Sequence, residues 1–180
     1  MNRNRFTIML GFVLVIAGVV SAGGAATGDS KDSGNAAAAF DKLKGLVGQW
    51  EGTSEKGTEK GRVTTTYELV SNGSALLERI HLEDGSEIPT LYYLDSNRLM
   101  LTHYCIAGNQ PTMQAEILGP ASNELRFRFV KATNLASGNA GHMHDVVIKL
   151  VNPDQFTANW SWHESGKAAF HVVIQNHRVR

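Results

Sequence analysis

From about residue 49 onward, apolar and polar positions alternate along this chain with a period of two. Just before that point the spacing is helical. Phe40, Leu43, Leu46 and Val47 recur at the interval of a short amphipathic helix. Residues 62–71 then set Val63, Thr65, Tyr67 and Leu69 against Thr64, Thr66, Glu68 and Val70. Residues 124–130 set Leu125, Phe127 and Phe129 against Arg126 and Arg128, the pattern of a half-buried strand with a charged outer face. Further strands are predicted over 49–54, 75–82, 88–94, 98–106, 113–118, 142–151, 155–164 and 168–178. Turn signals separate them, of which Asn72-Gly73 is the strongest hairpin signal. The longest irregular stretch covers 131–141.

Leu46-Val47-Gly48-Gln49-Trp50-Glu51-Gly52 marks the change of period. Trp50 has the bulk to plug one end of a core, and the glycines let the chain turn into and beyond the first strand. About ten short strands joined by hairpins predict an all-β fold, an antiparallel up-and-down barrel with a short N-terminal helix. Closure removes exposed edges, and a barrel of this size has room for a small ligand. A two-sheet sandwich is the competing arrangement.

The chain ahead of the sheet has another character. Arg3 and Arg5 precede an apolar run over 6–20, and the small residues Ser21 to Ala26 follow. This is the layout of a secretory signal peptide, expected over 1–25, with export to the periplasm or medium. An uncleaved membrane anchor is the alternative, although the run is short for a bilayer span. Residues 26–39 read as a flexible linker and 40–180 as the barrel domain. No stable membrane span is expected after cleavage.

Seventeen basic residues balance seventeen acidic ones, with no basic patch, so nothing draws the chain to nucleic acid. Cys105 is the sole cysteine, which excludes an intramolecular disulfide. There is no serine nucleophile motif, phosphate-cradling glycine loop or HExxH helix.

The candidate chemistry rests on histidines. His142 and His144 alternate with Met143 and Asp145, and continue the face of Val146, Ile148 and Leu150. On that face they would point inward, to bind a metal or haem or to contact a polar ligand group; rim histidines bonded to neighbours are the plainer alternative. His103 and Cys105 share a face with Leu99 and Leu101, and Cys105 reads best as a buried inert thiol. Arg79 shares a face with Ala75, Leu77 and His81, where it would meet a carboxylate or simply face solvent. Trp160 and Trp162 read as core or pocket wall, and His163 and Glu164 as acid–base candidates only if a pocket opens beside them.

Gly48-Gln49-Trp50-Glu51-Gly52 after a short helix resembles the opening of calycin-type barrels: lipocalins, fatty-acid-binding proteins and nitrobindin-like proteins. Residues 101–105, 108–111, 142–145 and 160–162 together resemble a group of bacterial lipocalin-like proteins, over roughly residues 43–178. The resemblance implies a barrel with an interior cavity and structural roles for Gly48 and Trp50. Nitrobindin-like barrels ligate haem through a histidine near the C-terminal end, a neighbourhood that His171 or His177 would occupy.

The expected function is binding of a small, mostly apolar ligand. Tyr67, Leu101, Phe127 and Trp160 would form the walls, with His103, His142, His144 and Arg79 as polar contacts. Haem or transition-metal binding, a small-molecule enzyme and a ligand-free structural envelope protein are the alternatives. The cofactor and the oligomeric state are left open.

Overall fold

In the computed structural model, residues 29–119 and 121–180 are described, with side chains from Asn35 onward. The expected signal peptide lies outside the described residues. Helix α1 (Asp29–Lys44) leads into ten strands: β1 (Gly48–Lys56), β2 (Glu59–Val70), β3 (Ala75–Leu82), β4 (Glu87–Asp95), β5 (Arg98–His103), β6 (Gln110–Glu116), β7 (Glu124–Thr133), β8 (His142–Asn152), β9 (Gln155–Glu164) and β10 (Lys167–Arg178). Each strand pairs antiparallel with its sequence neighbours, and β1 pairs with β10, so the sheet closes into a barrel. The barrel, rather than the sandwich, is the fold. Among the described residues no helix is long and apolar enough to cross a membrane.

The period of two is what fills the interior. Trp50, Tyr67, Leu76, Tyr92, Leu101, Met113, Phe127, Ile148, Phe156 and Ile174 come one from each of the ten strands and are all buried in one core. At Asn72-Gly73 the predicted hairpin forms: Ser71, Asn72 and Gly73 adopt left-handed backbone, with φ of 51°, 55° and 82°. Val70 and Ala75 then pair across it.

Several boundaries differ from the sequence reading. The helix starts at Asp29 and takes up much of the stretch read as a linker. Strand β5 stops at His103, so Cys105 lies in a turn closed by its own N–H donating to the Asn109 carbonyl. Strand β6 starts at Gln110 and includes Pro111. Proline fits there because β5 pairs with β6 only as far as Thr112, and no donor is missed on that side.

One end of the barrel is plugged. Phe40 and Leu43 of α1 and Leu46 of the turn after it enter the core, each large side chain stabilising the closure by about 2 kcal/mol. Trp50 Nε1 donates to the Leu46 carbonyl at 2.8 Å, and its ring meets the Phe156 edge at 4.7 Å. The Arg178 guanidinium lies 4.2 Å over the Trp50 ring and donates to the carbonyls of Gly45 and Val47. The first and last strands are therefore tied together at the plug.

Gly52 does not turn the chain, as its place after Trp50 suggested; it lies within β1 at the closing seam. A Cβ there would fall 2.3 Å from the Gln175 carbonyl oxygen of β10. Gly52→Ala must push the seam apart, and is expected to lower stability by about 1–3 kcal/mol. Gly61→Ala, where a Cβ meets nothing closer than 3.6 Å, is expected to stay within about 0.5 kcal/mol of the parent. Urea midpoints of the two variants check both.

Candidate functional site

The end opposite the plug is open inside. A cavity of about 710 Å³ is walled by Ile80, Leu82, Ile88, Met143, Trp160, Trp162, Phe170, Val172 and Ile174, a mostly apolar surface. Lys56, Glu59 and Lys60 of the β1–β2 hairpin and Ile106 of the β5–β6 turn are exposed and form its mouth. Polar side chains along it include Ser54, His103 and Cys105.

His103 ends β5 on the inward face and is 3% exposed. Its Nδ1 lies 2.9 Å from the Thr90 hydroxyl, and its ring packs 4.5 Å from Trp160. Burial pushes its pKa down to about 4, so the ring is neutral at physiological pH. Below it sits Glu78, 2% exposed, inward between Leu76 and Ile80. Tyr67 and Tyr92 both donate to its carboxylate, the second at 3.1 Å. Burial raises the Glu78 pKa, while the hydroxyls of Tyr67, Tyr92 and Thr90 pull it back. The tyrosine hydroxyls are in turn held well above their ordinary range, first by burial and then by Glu78.

With the Thr90 oxygen as acceptor of the 2.9 Å contact, the His103 proton sits on Nδ1. In that tautomer His103 Nε2 keeps a lone pair. Trp160 lines the same cavity, and its buried Nε1–H has no hydrogen-bond acceptor among the described residues. The cavity therefore sets a histidine nitrogen and an unpaired indole N–H into a mostly apolar wall. Cys105 adds no reactivity, because burial raises its thiol pKa.

The structure brings His103 and Trp160 of the sequence-predicted site together at this cavity. Tyr67, Leu101 and Phe127 are inward but lie deeper, in the filled core towards the plug. Arg79 is on the outer face, beside Glu68 and Glu87, because β3 buries Leu76, Glu78 and Ile80 instead. His142 and His144 are off the cavity wall. A β-bulge between Met143 and Asp145 inserts one residue, so Met143, not a histidine, continues the inward face of Val146 and Ile148. His171 and His177 are exposed on β10, whose cavity face is Phe170, Val172 and Ile174. A haem held through a C-terminal histidine does not fit this arrangement. Thr90 and Tyr92 were not singled out from sequence, and Glu78 only as a neighbour of His81 and Arg79; the one available signal was that Glu78 shares its strand face with Leu76, Ile80 and Leu82.

No protein-family model matches the chain, and no curated protein matches it. Solved structures do. The chain shares its fold with Rv2717c from M. tuberculosis. That likeness has a TM-score of 0.53 at 15% identity, over 79% of this chain and 98% of that one. A redesigned β-barrel, b11L5F_LGL, aligns over 76% of this chain and 94% of its own, with 12% identity and a TM-score of 0.40. EF1p2_mFAP2b bound to DFHBI aligns over 78% and 98%, with 11% identity and a TM-score of 0.37. At 15% identity the likeness to Rv2717c is one of fold alone.

Proposed function

We propose that this barrel binds a small, mostly apolar molecule carrying a hydroxyl or a protonated carboxyl group. The observation that carries the reading is the pairing of His103 Nε2 and the Trp160 Nε1–H on one cavity wall. A ligand O–H satisfies both, donating to the histidine and accepting from the indole. A pKa near 4 suits His103 to accepting a hydrogen bond and leaves it poorly matched to proton transfer at neutral pH, which favours binding over catalysis. Export by the N-terminal signal belongs to the same proposal: the protein would hold such a molecule outside the cytoplasm.

1-Naphthol and 1-methoxynaphthalene test the reading, since only the first has the hydroxyl proton. Calorimetric titration is expected to give 1-naphthol the tighter binding, and His103→Leu is expected to weaken it about tenfold, the worth of one buried hydrogen bond. The same change should leave 1-methoxynaphthalene within about twofold. Equal binding of the two probes, or no effect of His103→Leu, would overturn the proposal.

A further inference from the structure

The bulge that turns His142 and His144 away from the cavity gathers them with other groups on the outer wall. Residues opposite one another in an antiparallel pair share a face, so His142 lies beside His163, and Asp145 beside Ser161. The His144 and His163 rings stack at 3.9 Å, only 9° from parallel. His163 Nε2 lies 4.0 Å from the Asp145 carboxylate. Donor atoms of His144, Asp145 and His163 all fall within 4.8 Å of one another, and all three residues are half-buried.

The protonation of the histidines follows from their partners. His142 Nδ1 is 3.0 Å from the Ala140 carbonyl, which can only accept, so that nitrogen carries the proton. In the neutral ring, His142 Nε2 then accepts from His144 Nδ1 at 3.1 Å. His144 Nε2 is left with a lone pair. A backbone carbonyl thus fixes one histidine, which fixes the next, the outer support that metal-ligating imidazoles commonly have. Phe129, stacked 4.6 Å from His144, holds that ring from another side.

We propose that this outer wall is a binding site for a divalent late first-row transition ion, with His144, Asp145 and His163 as ligands. Two imidazoles and one carboxylate suit zinc and its neighbours, and a fourth position stays open to solvent. His142 is a positioning residue, acting through His144. The two stacked rings fan apart slightly to bring both nitrogens onto one ion. Arg128 opposes binding: its guanidinium lies 3.7 Å from Asp145, with its other contacts on Glu116. The site is separate from the cavity and does not depend on what the cavity holds.

Equilibrium dialysis of the untagged protein against Zn²⁺ tests it. One ion per chain is expected. His163→Gln and Asp145→Asn should each abolish stoichiometric retention, and His177→Gln, far from the cluster, should not. His142→Phe is expected to weaken affinity about 10–100-fold, the range for losing an outer support. Arg128→Gln should tighten binding, an effect that damage to the fold would not produce. Failure of the parent to retain zinc, or retention that survives both His163→Gln and Asp145→Asn, would overturn the proposal.

Discussion

Trp50→Ala lowers the unfolding free energy by about 3–5 kcal/mol, the upper range for a large aromatic removed from a packed core. Three losses coincide at this residue. The indole is 1% exposed, so its removal leaves a hole that neighbours cannot fill without moving. Its edge contact with Phe156 disappears, and the Leu46 carbonyl loses its donor. Arg178, stacked on the ring, also loses the surface that aligns it with the carbonyls of Gly45 and Val47. The first two losses weaken the plug, and the third weakens the tie between β1 and β10. Trp162→Ala is the informative comparison. Trp162 is half-buried on the cavity wall, stacked on Phe170, and its removal enlarges a space that exists already. Its loss is expected to be clearly smaller. Guanidinium unfolding at unchanged m-value measures both, and equal losses at the two positions would refute the plug as the centre of stability.

Trp50 was legible because its place at a change of period is a local fact. So were the strands, since alternation needs only neighbours in sequence; Val63, Thr65 and Tyr67 face inward as read. The site was less legible for two physical reasons. On β3 both faces carry leucine, Leu76 inward and Leu77 outward, so hydrophobicity could not decide which way Arg79 and Glu78 point. Burying a carboxylate becomes tolerable only when donors arrive from other strands, here Tyr67 from β2 and Tyr92 from β4. On β8 the bulge reverses the parity of everything before Asp145. No composition marks that bulge, yet it decides that Met143 lines the cavity and that His142 and His144 meet His163 outside.

Glu78→Leu costs about 3 kcal/mol at neutral pH, while Glu78→Gln is neutral or stabilising. Leucine fits the layer between Leu76 and Ile80 but leaves the hydroxyls of Tyr67 and Tyr92 buried without their acceptor, about 1–3 kcal/mol each before the apolar gain is set against it. Glutamine keeps an acceptor oxygen and removes the buried charge; one tyrosine need only rotate its hydroxyl to accept from the amide. The pH dependence gives the sharper test. The folded pKa of Glu78 is raised above its ordinary 4.5, so the folded state holds this proton more tightly than the unfolded chain. Below 4.5 both states are protonated and the carboxyl brings no penalty. As pH rises past 4.5 the unfolded chain ionises first, and the parent loses stability relative to Glu78→Gln by up to about 1.4 kcal/mol per pH unit until the folded pKa is reached. His103 acts with the opposite sign. Its depressed pKa makes stability fall as pH drops from 6.5 towards about 4, but both proteins carry it and the difference between them cancels it. Urea unfolding of parent and Glu78→Gln in parallel from about pH 4 to 8 reads that difference. A gap that widens upward from 4.5 identifies Glu78 as a carboxyl kept neutral beneath the cavity floor. A constant gap would mean that its tyrosine donors hold the ionised form as readily as water does.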